Sequence, residues 1–563
     1  MDHIQTMSTN ITLPEAFTTT AHHISIYFQK LIQLIEFIPG GAIIIRYIKS
    51  SHKNDPFRTF LELILVIFAI RYFTTKRYES KKRGFVKLSE KEVKELVDEW
   101  EPEPLVLPVT AKEQWRLDAI PIVEKPGYDS KLKLQETSQS LVNLASVNFL
   151  NLSNDEQTTA EAKRIIRQNG VGACGPPNFY GNQDIHIDLE QNICKFFGVE
   201  GCVLYGQDFA TTQSVLPSFL KRGDYVIADA GINISIQKAL LLSRANVTYY
   251  NHNDLNHLED ILKEFDEEVY KYEKGPIPRK FIVTEGLFAN TGDIPYLPKL
   301  IELKTKHKYR LFVDETLSIG SLGKSGRGVS ELFGIPVTQV DIIVGSLATS
   351  LNAAGGFCIG DHVMTYHQRI GSLAYCFSAS LPAYVTKVAS TVLHIIDSNK
   401  NEKGESQILS SLHSKISAFY NLISKDQPLS KLITVTSSPE SPIVHLQLNS
   451  TIRTALGLPA SYTGIGSEIG RRNKLGISDK FIEELNNEEK LLQYIINLVK
   501  SRGILITRST FTISQESLAV LPHLKICIND GVSKDELTNA FNVIKSEVTT
   551  ALTGLTADGF QNL

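Results

Sequence analysis

A mostly parallel, doubly wound α/β sheet is the fold this sequence predicts, followed by a smaller α+β domain and preceded by a helical, membrane-associated segment. Six short apolar runs, at 203–205, 225–227, 247–249, 281–283, 311–313 and 342–344, alternate with stretches of helical periodicity. Their apolarity is continuous rather than alternating, which marks strands buried on both faces. With 563 residues, 42% of them apolar, the chain can bury a large core and is not globally disordered. A net charge of −3 gives no electrostatic footprint for nucleic acid. The six cysteines have no CxxC or metal-ligand spacing, so they read as reduced thiols in a cytosol-facing protein, and no metal site is expected.

In chain order, residues 1–56 form an N-terminal segment without the basic start and apolar run of a cleavable signal peptide. Ile24, Tyr27, Phe28, Leu31, Ile32, Ile35 and Ile38 recur at helical spacing, opposite Gln29, Lys30, Gln33 and Glu36. Such an amphipathic helix either lies in a membrane interface or packs on the protein's own surface, and both readings stay open. Pro39-Gly40-Gly41 ends it, and a second apolar piece begins at Ala42. Residues 57–75 are expected to form a transmembrane helix, although Glu62 and Arg71 interrupt the apolar run. The basic cluster Lys76, Arg77, Lys81, Lys82 and Arg83 then places the rest of the chain on the cytoplasmic side. Residues 76–140 read as a helix, N-capped by Ser89 and ended by Glu101-Pro102-Glu103-Pro104, and an extended arm.

The large domain is expected over 141–396 and the small domain over 397–563. In the latter, helices are expected at 409–423, 490–502 and 534–548, and strands at 443–448, 504–508 and 524–528. Residues 450–487 read as a variable polar insertion, and 557–563 as a frayed end.

Ligands of doubly wound sheets sit beyond the carboxyl ends of the strands. The stretch 341–360, DIIVGSLATSLNAAGGFCIG, has the look of such a site: a buried strand, small hydroxyl residues, then Gly355-Gly356. Its neighbours carry further motifs. They are Asn148-Phe149-Leu150; Gly170 through Gly175 with Tyr180-Gly181-Asn182 and His186 through Glu190; Asn251-His252-Asn253-Asp254; Thr284 through Phe288 with Gly292-Asp293; Asp314-Glu315; Gly326-Arg327-Gly328; and FSASLP at 377–382.

As a set these motifs resemble the α-oxoamine synthases, which are fold-type I, aminotransferase-like pyridoxal-phosphate enzymes. In that family a Gly-Thr-Phe-Ser-Lys run supplies the lysine that holds the cofactor as a Schiff base. Gly345, Ser346, Leu347 and Ala348 match the run, and the lysine position falls on Thr349, which cannot form an imine. No lysine occurs between Lys324 and Lys387, so a one-residue slip does not supply one. The resemblance implies three further losses. Asn233 stands for the histidine that stacks on the cofactor ring, Leu317 for a second histidine, and His523-Leu524-Lys525 for an Arg-Leu-Arg that receives the substrate carboxylate. Lys525 lacks the bidentate fork of arginine. Asp314 keeps the family's ring-facing carboxylate as a vestige, or else is a helix-capping aspartate.

The degenerate core joined to a membrane-bound N-terminus is similar to the lysine-lacking first subunits of eukaryotic serine palmitoyltransferase. What that resemblance implies is a chain without a catalytic residue of its own. Its lysine-bearing partner holds pyridoxal 5′-phosphate and condenses L-serine with palmitoyl-CoA to 3-ketodihydrosphingosine. Ser378 and Ser380 would reach the partner's cofactor phosphate. Cys174, Tyr180 and Asn182 would shape the shared cleft, with an ordinary buried thiol as the other reading of Cys174. A small activating subunit, Orm-type regulators and the endoplasmic reticulum membrane are implied as well. The competing class is a non-enzymatic membrane scaffold or regulatory protein derived from an α-oxoamine synthase.

Overall fold

The computed structural model describes residues 26, 29, 30, 32–75, 88–102, 105, 109–124, 129–136, 139–269, 277–402, 404–462, 481–511, 516 and 520–561. The chain divides into two compact units, Met1–Pro108 and Val109–Leu563.

In the first unit, helices Gly41–Asn54 and Pro56–Thr74 are joined through Asp55. Asp55 starts the second helix by accepting from the backbone N–H groups of Phe57 and Arg58, both at 3.1 Å, with Pro56 in the first turn. Thr59 Oγ1 donates to Ser51 Oγ at 3.0 Å, tying the two helices together. The expected spanning segment 57–75 is therefore helical, but no helix among the described residues is long and apolar enough to cross a membrane. The reason lies in the sequence: Arg58, Glu62 and Arg71 interrupt the helix, and Arg58 Nε pairs with Glu62 at 3.0 Å instead of leaving either charge alone. Of the expected helix at 24–38, the described residues 26, 29, 30 and 32–36 are helical, and the basic cluster at 76–83 lies outside the described residues. Glu90–Glu99 is helical as read, closed by a capping box between Ser89 and Glu92.

The second unit is built on a seven-stranded sheet. Its spatial order is Gly201–Tyr205, Gly356–Gly360, Ile342–Ser346, Arg310–Asp314, Lys280–Glu285, Tyr225–Asp229 and Asn246–Tyr250. Every pairing is parallel except the two made by Gly356–Gly360. Successive residues of each strand feed opposite layers. Ile282, Leu311, Val313 and Ile343 enter one buried cluster, while Phe281, Val283, Phe312, Ile342 and Val344 enter the other. Both layers are covered, which is why the strands are apolar throughout.

Beyond the long helix Ala383–Ser398, a four-stranded antiparallel sheet is ordered Ile433–Val435, Ile443–Leu448, His523–Cys527, Thr507–Arg508. A second small sheet pairs Lys131–Lys133, Ser140–Asn143 and Ile504–Leu505, so part of the expected arm is woven into the C-terminal part of the chain. The stretch read as one strand at 504–508 is thus split between two sheets. The helix expected from 490 begins earlier, at Glu483–Ser501, because Leu485 already faces the core. Residues 463–480 of the expected insertion lie outside the described residues. The frayed end expected at 557–563 is instead a short helix, Ala557–Gln561, anchored by buried Phe560.

Phe312 sits fully buried at the middle of the large sheet. Phe312→Ala is expected to lower unfolding free energy by about 3–5 kcal/mol, read from chemical denaturation of the purified chain.

Candidate functional site

Parallel strands end together, and here their last residues are Asp229, Glu285, Asp314 and Ser346. Helices Asp208–Phe219 and Ile234–Ser243 follow strands Gly201–Tyr205 and Tyr225–Asp229, so their N-termini open toward the same edge. Glu285 and Asp314 are direct register partners on neighbouring strands, and both are buried. Asp314 Oδ2 accepts from Thr212 Oγ1 at 3.2 Å, and its Oδ1 accepts from the Thr316 backbone at 2.9 Å. Burial pushes its carboxyl up from the usual range. Glu285 accepts from the Asn233 and Ala289 backbone N–H groups at 2.6 and 3.0 Å. Burial, reinforced by the Asp314 charge, pushes Glu285 up to about 8.

Thr349 is half-buried, and its Oγ1 donates to the Thr316 carbonyl at 2.8 Å. The turn before it is closed by Ser346 Oγ, which accepts from the Ala348 and Thr349 backbones at 2.9 and 3.2 Å. Asn233, at the expected stacking position, is a helix N-cap whose side chain accepts from Ser235 and Ile236. Leu317 packs into the core. At the other end of the first turn, burial raises Asp208 to about 6, opposed by a hydrogen bond from Ser346 and aided by the charge of Asp314. Three acidic side chains, Asp208, Glu285 and Asp314, thus crowd one edge of the sheet.

A fourth acid at this edge is treated differently. Asp229 is fully buried and accepts from the Gly231 and Asn253 backbones at 2.6 and 2.9 Å. His252 Nδ1 meets its Oδ1 at 2.7 Å, and Nε2 lies 3.0 Å from both oxygens of Asp293. Burial opposes the charge on His252, but the hydrogen bonds to Asp229 and Asp293 outweigh it and raise the imidazole to about 10. His252 is therefore an imidazolium clamped between two carboxylates. Gly231 leaves room for the ring, since a Cβ there would sit 2.3 Å from His252 Nδ1.

Of the residues expected at a shared cleft, Cys174 and Tyr180 lie exposed at one rim, Asn182 and Ser378 are half-buried, and Ser380, expected to reach a partner's cofactor, is buried against this chain's own Asn182. Cys174 is exposed and holds φ at 57°, unusual for a residue with a side chain. The Gly175 carbonyl accepts from the Ser380 backbone at 3.0 Å, and Ser380 Oγ donates to Asn182 Oδ1 at 3.4 Å. Gly181 fits beneath this contact with no space for a Cβ, which would meet the Gly175 carbonyl at 1.8 Å. Ser378 caps the helix Leu373–Phe377. Around them, Tyr180 is 75% exposed and Phe377 72%, with Val171, Phe179, Ile370 and Leu373 also exposed. Cys174 is therefore not a buried thiol.

In the small domain, His523 stacks on His445 with centroids 4.1 Å apart, and Lys525 pairs in register with His445. Burial holds both imidazoles neutral, with His523 down to about 4. Among the described residues Lys525 makes no ion pair. The place expected to receive a carboxylate is thus built around a neutral stack.

Sequence reading missed Asp208, and it quoted His252, Glu285 and Asp293 within motifs without giving them a role. Asp208 had a signal: it is the first helical residue after a strand and Gly206, where an anion would otherwise be drawn.

Residues 139–544 match the family model described as aminotransferase class I and II. Serine palmitoyltransferase 1 of Saccharomyces cerevisiae is 45% identical over 563 residues, 97% of this chain and 98% of that protein. Serine palmitoyltransferase 1 of Dictyostelium discoideum is 33% identical over 486 residues, 86% of this chain and 92% of that protein. A solved serine palmitoyltransferase from S. paucimobilis, with a bound PLP–myriocin aldimine, aligns with a TM-score of 0.62 at 18% identity, covering 78% of this chain and 96% of that one. That likeness establishes the fold-type I, aminotransferase-like architecture expected from the sequence.

The His252 clamp has a stability signature. A histidine raised from 6.5 to about 10 stabilises the fold fully below its unfolded value, and that contribution is lost as pH rises through about 10. His252→Gln, which leaves Asp229 buried without a cation, is expected to cost about 3–5 kcal/mol near neutrality. In urea denaturation the gap between variant and wild type should close as pH approaches 10.

Proposed function

The chain belongs to the serine palmitoyltransferase 1 family on the aminotransferase class I and II fold, and from that premise we propose that it acts as the lysine-less subunit of a heteromeric serine palmitoyltransferase. It carries no Schiff base of its own and completes the active site of a lysine-bearing second subunit. The reaction joins the α-carbon of L-serine to the acyl carbon of palmitoyl-CoA. The thioester breaks to release CoA, the serine carboxylate leaves as CO₂, and 3-ketodihydrosphingosine is formed.

The observation that carries this reading is the hydrogen bond from Thr349 to the Thr316 carbonyl. A hydroxyl closed onto the carbonyl of the loop after the neighbouring strand stands where a pyridoxal-phosphate enzyme needs a free amine. Beside it, Asp208 brings a carboxylate to the helix start where a cofactor phosphate would sit, while Asp314 keeps only the carboxylate that would face a ring nitrogen. The residues present do not fit pyridoxal phosphate, and no step is assigned to this cleft. The surface around Cys174, Tyr180, Asn182, Ser378 and Ser380 supports the second half of the reading. Exposed aromatic and aliphatic side chains beside hydroxyl and amide donors suit a subunit interface next to a polar site.

The N-terminal helices support an endoplasmic reticulum membrane location with the bulk of the chain in the cytoplasm. Ile43, Ile44, Phe57, Phe60 and Leu63 are exposed and suit a lipid surface even without a span. A small activating subunit and Orm-type regulators complete the proposed assembly.

Reconstitution tests the proposal. The chain alone is expected to show neither the visible absorbance of a lysine aldimine nor serine-dependent CoA release, and both are expected after adding a lysine-bearing second subunit. Aldimine absorbance from the chain alone would sink the reading, and a partner equally active without this chain would favour a scaffold. Cys174→Trp, at a position with φ of 57° on the exposed rim, should cut complex activity by about tenfold to a hundredfold. The thermal transition of the isolated variant should stay near that of the wild type, and unchanged activity would remove Cys174 from the shared cleft.

A further inference from the structure

The lost lysine is not the whole of what separates this cleft from a phosphate-bearing cofactor. Because every strand but Gly356–Gly360 runs the same way, the helix Asp208–Phe219 begins at the edge where Asp314 and Ser346 end their strands. Its N-cap residue, Gln207, makes no side-chain cap. An uncapped helix N-terminus at the carboxyl edge of a parallel sheet is where a phosphate would be drawn by free N–H groups and the helix dipole. Here the first helical residue brings a carboxylate of its own.

We propose that Asp208 bars phosphate-bearing cofactors from this cleft by placing a fixed carboxylate in the first turn of that helix, independently of the missing lysine. The placement is specific. Asp208 lies one turn before Thr212, whose hydroxyl is bonded to Asp314 at 3.2 Å, so both face the ends of the strands. Burial raises the Asp208 carboxyl, a shift opposed by the Ser346 hydroxyl and reinforced by the charge of Asp314 at the neighbouring strand end. The floor around it is tight. A Cβ on Gly206 would lie 2.6 Å from the Ala379 carbonyl, and one on Gly356 would lie 2.4 Å from Thr211 Oγ1. Burial raises Asp208 only to about 6, so it is mostly ionised at neutral pH. A phosphate entering here would face ionised Asp208 at short range and lose the N-terminal field that should hold it.

This inference rests on reading the chain as the lysine-less subunit, and its test keeps the two apart. Full-length Thr349→Lys and Thr349→Lys/Asp208→Asn are incubated with pyridoxal 5′-phosphate, and in parallel with pyridoxal, which lacks the phosphate. Borohydride reduction fixes any imine at position 349, and peptide mass spectrometry quantifies it. The double variant should be labelled by pyridoxal phosphate at a concentration about tenfold or more below that needed by the single variant. With pyridoxal the two should label alike. Asp208→Ser in the same background gives the same readout from a smaller neutral residue, should the asparagine variant fold poorly. Equal labelling of single and double variants by pyridoxal phosphate overturns the role of Asp208. So does labelling of neither, or an equal gain with pyridoxal. None of these results touches the functional reading, which instead fails if the unmodified chain forms an aldimine with pyridoxal phosphate.

Discussion

A parallel sheet delivers the last residue of every strand to one edge, and in this chain that edge collects acids. Asp229, Glu285 and Asp314 end three neighbouring strands with little water around them. A buried carboxylate must be paired, hydrogen-bonded or protonated, and each of the three is accommodated differently. Asp229 is balanced by the His252 imidazolium. Glu285 is held by two backbone N–H groups and pushed toward its neutral form. Asp314 takes a threonine hydroxyl and a backbone N–H. The loops that leave these strands are shaped by those solutions: Gly231 makes room for His252, and Asn233 offers its backbone to Glu285 while its side chain starts a helix.

The proposed division between a cleft without cofactor chemistry and an exposed rim rests on the same geometry. Thr349, Asn233 and Leu317 all turn inward, to a loop carbonyl, to a helix start and to the core. None of these groups disturbs the path of the strands. The rim loop holds its contact between Gly175 and Ser380 independently of those interior groups.

Much of this was legible in the sequence because it follows from local rules. Apolar runs bounded by helical patterns located six strands of the sheet, and Ser89 with Glu92 announced a capped helix. Thr349 stood out through the resemblance of 345–349 to the family's lysine-bearing run. What stayed hidden depends on distance in the fold. Asp208 looks like an ordinary first-turn acid until Asp314 and Ser346 are seen beside it. His252 acquires its charge from Asp229 and Asp293, 23 and 41 residues away. Phe560 looked like part of a loose end, and only tertiary burial turned its segment into a helix. The apolar stretch after Phe57 failed in the opposite way: its composition suggested a span, and three charges set against its length decided otherwise.

The exposed ring of Val171, Phe179, Tyr180, Leu373 and Phe377 carries a cost outside chemistry. A surface of this kind is stable in water only while something covers it, and left bare it invites self-association. In the assembly proposed above, a copy synthesised without its partner is a substrate for chaperones and proteases rather than a reserve. The supply of this chain would then follow the supply of the chain it pairs with, since removal of the uncovered surplus would match the two.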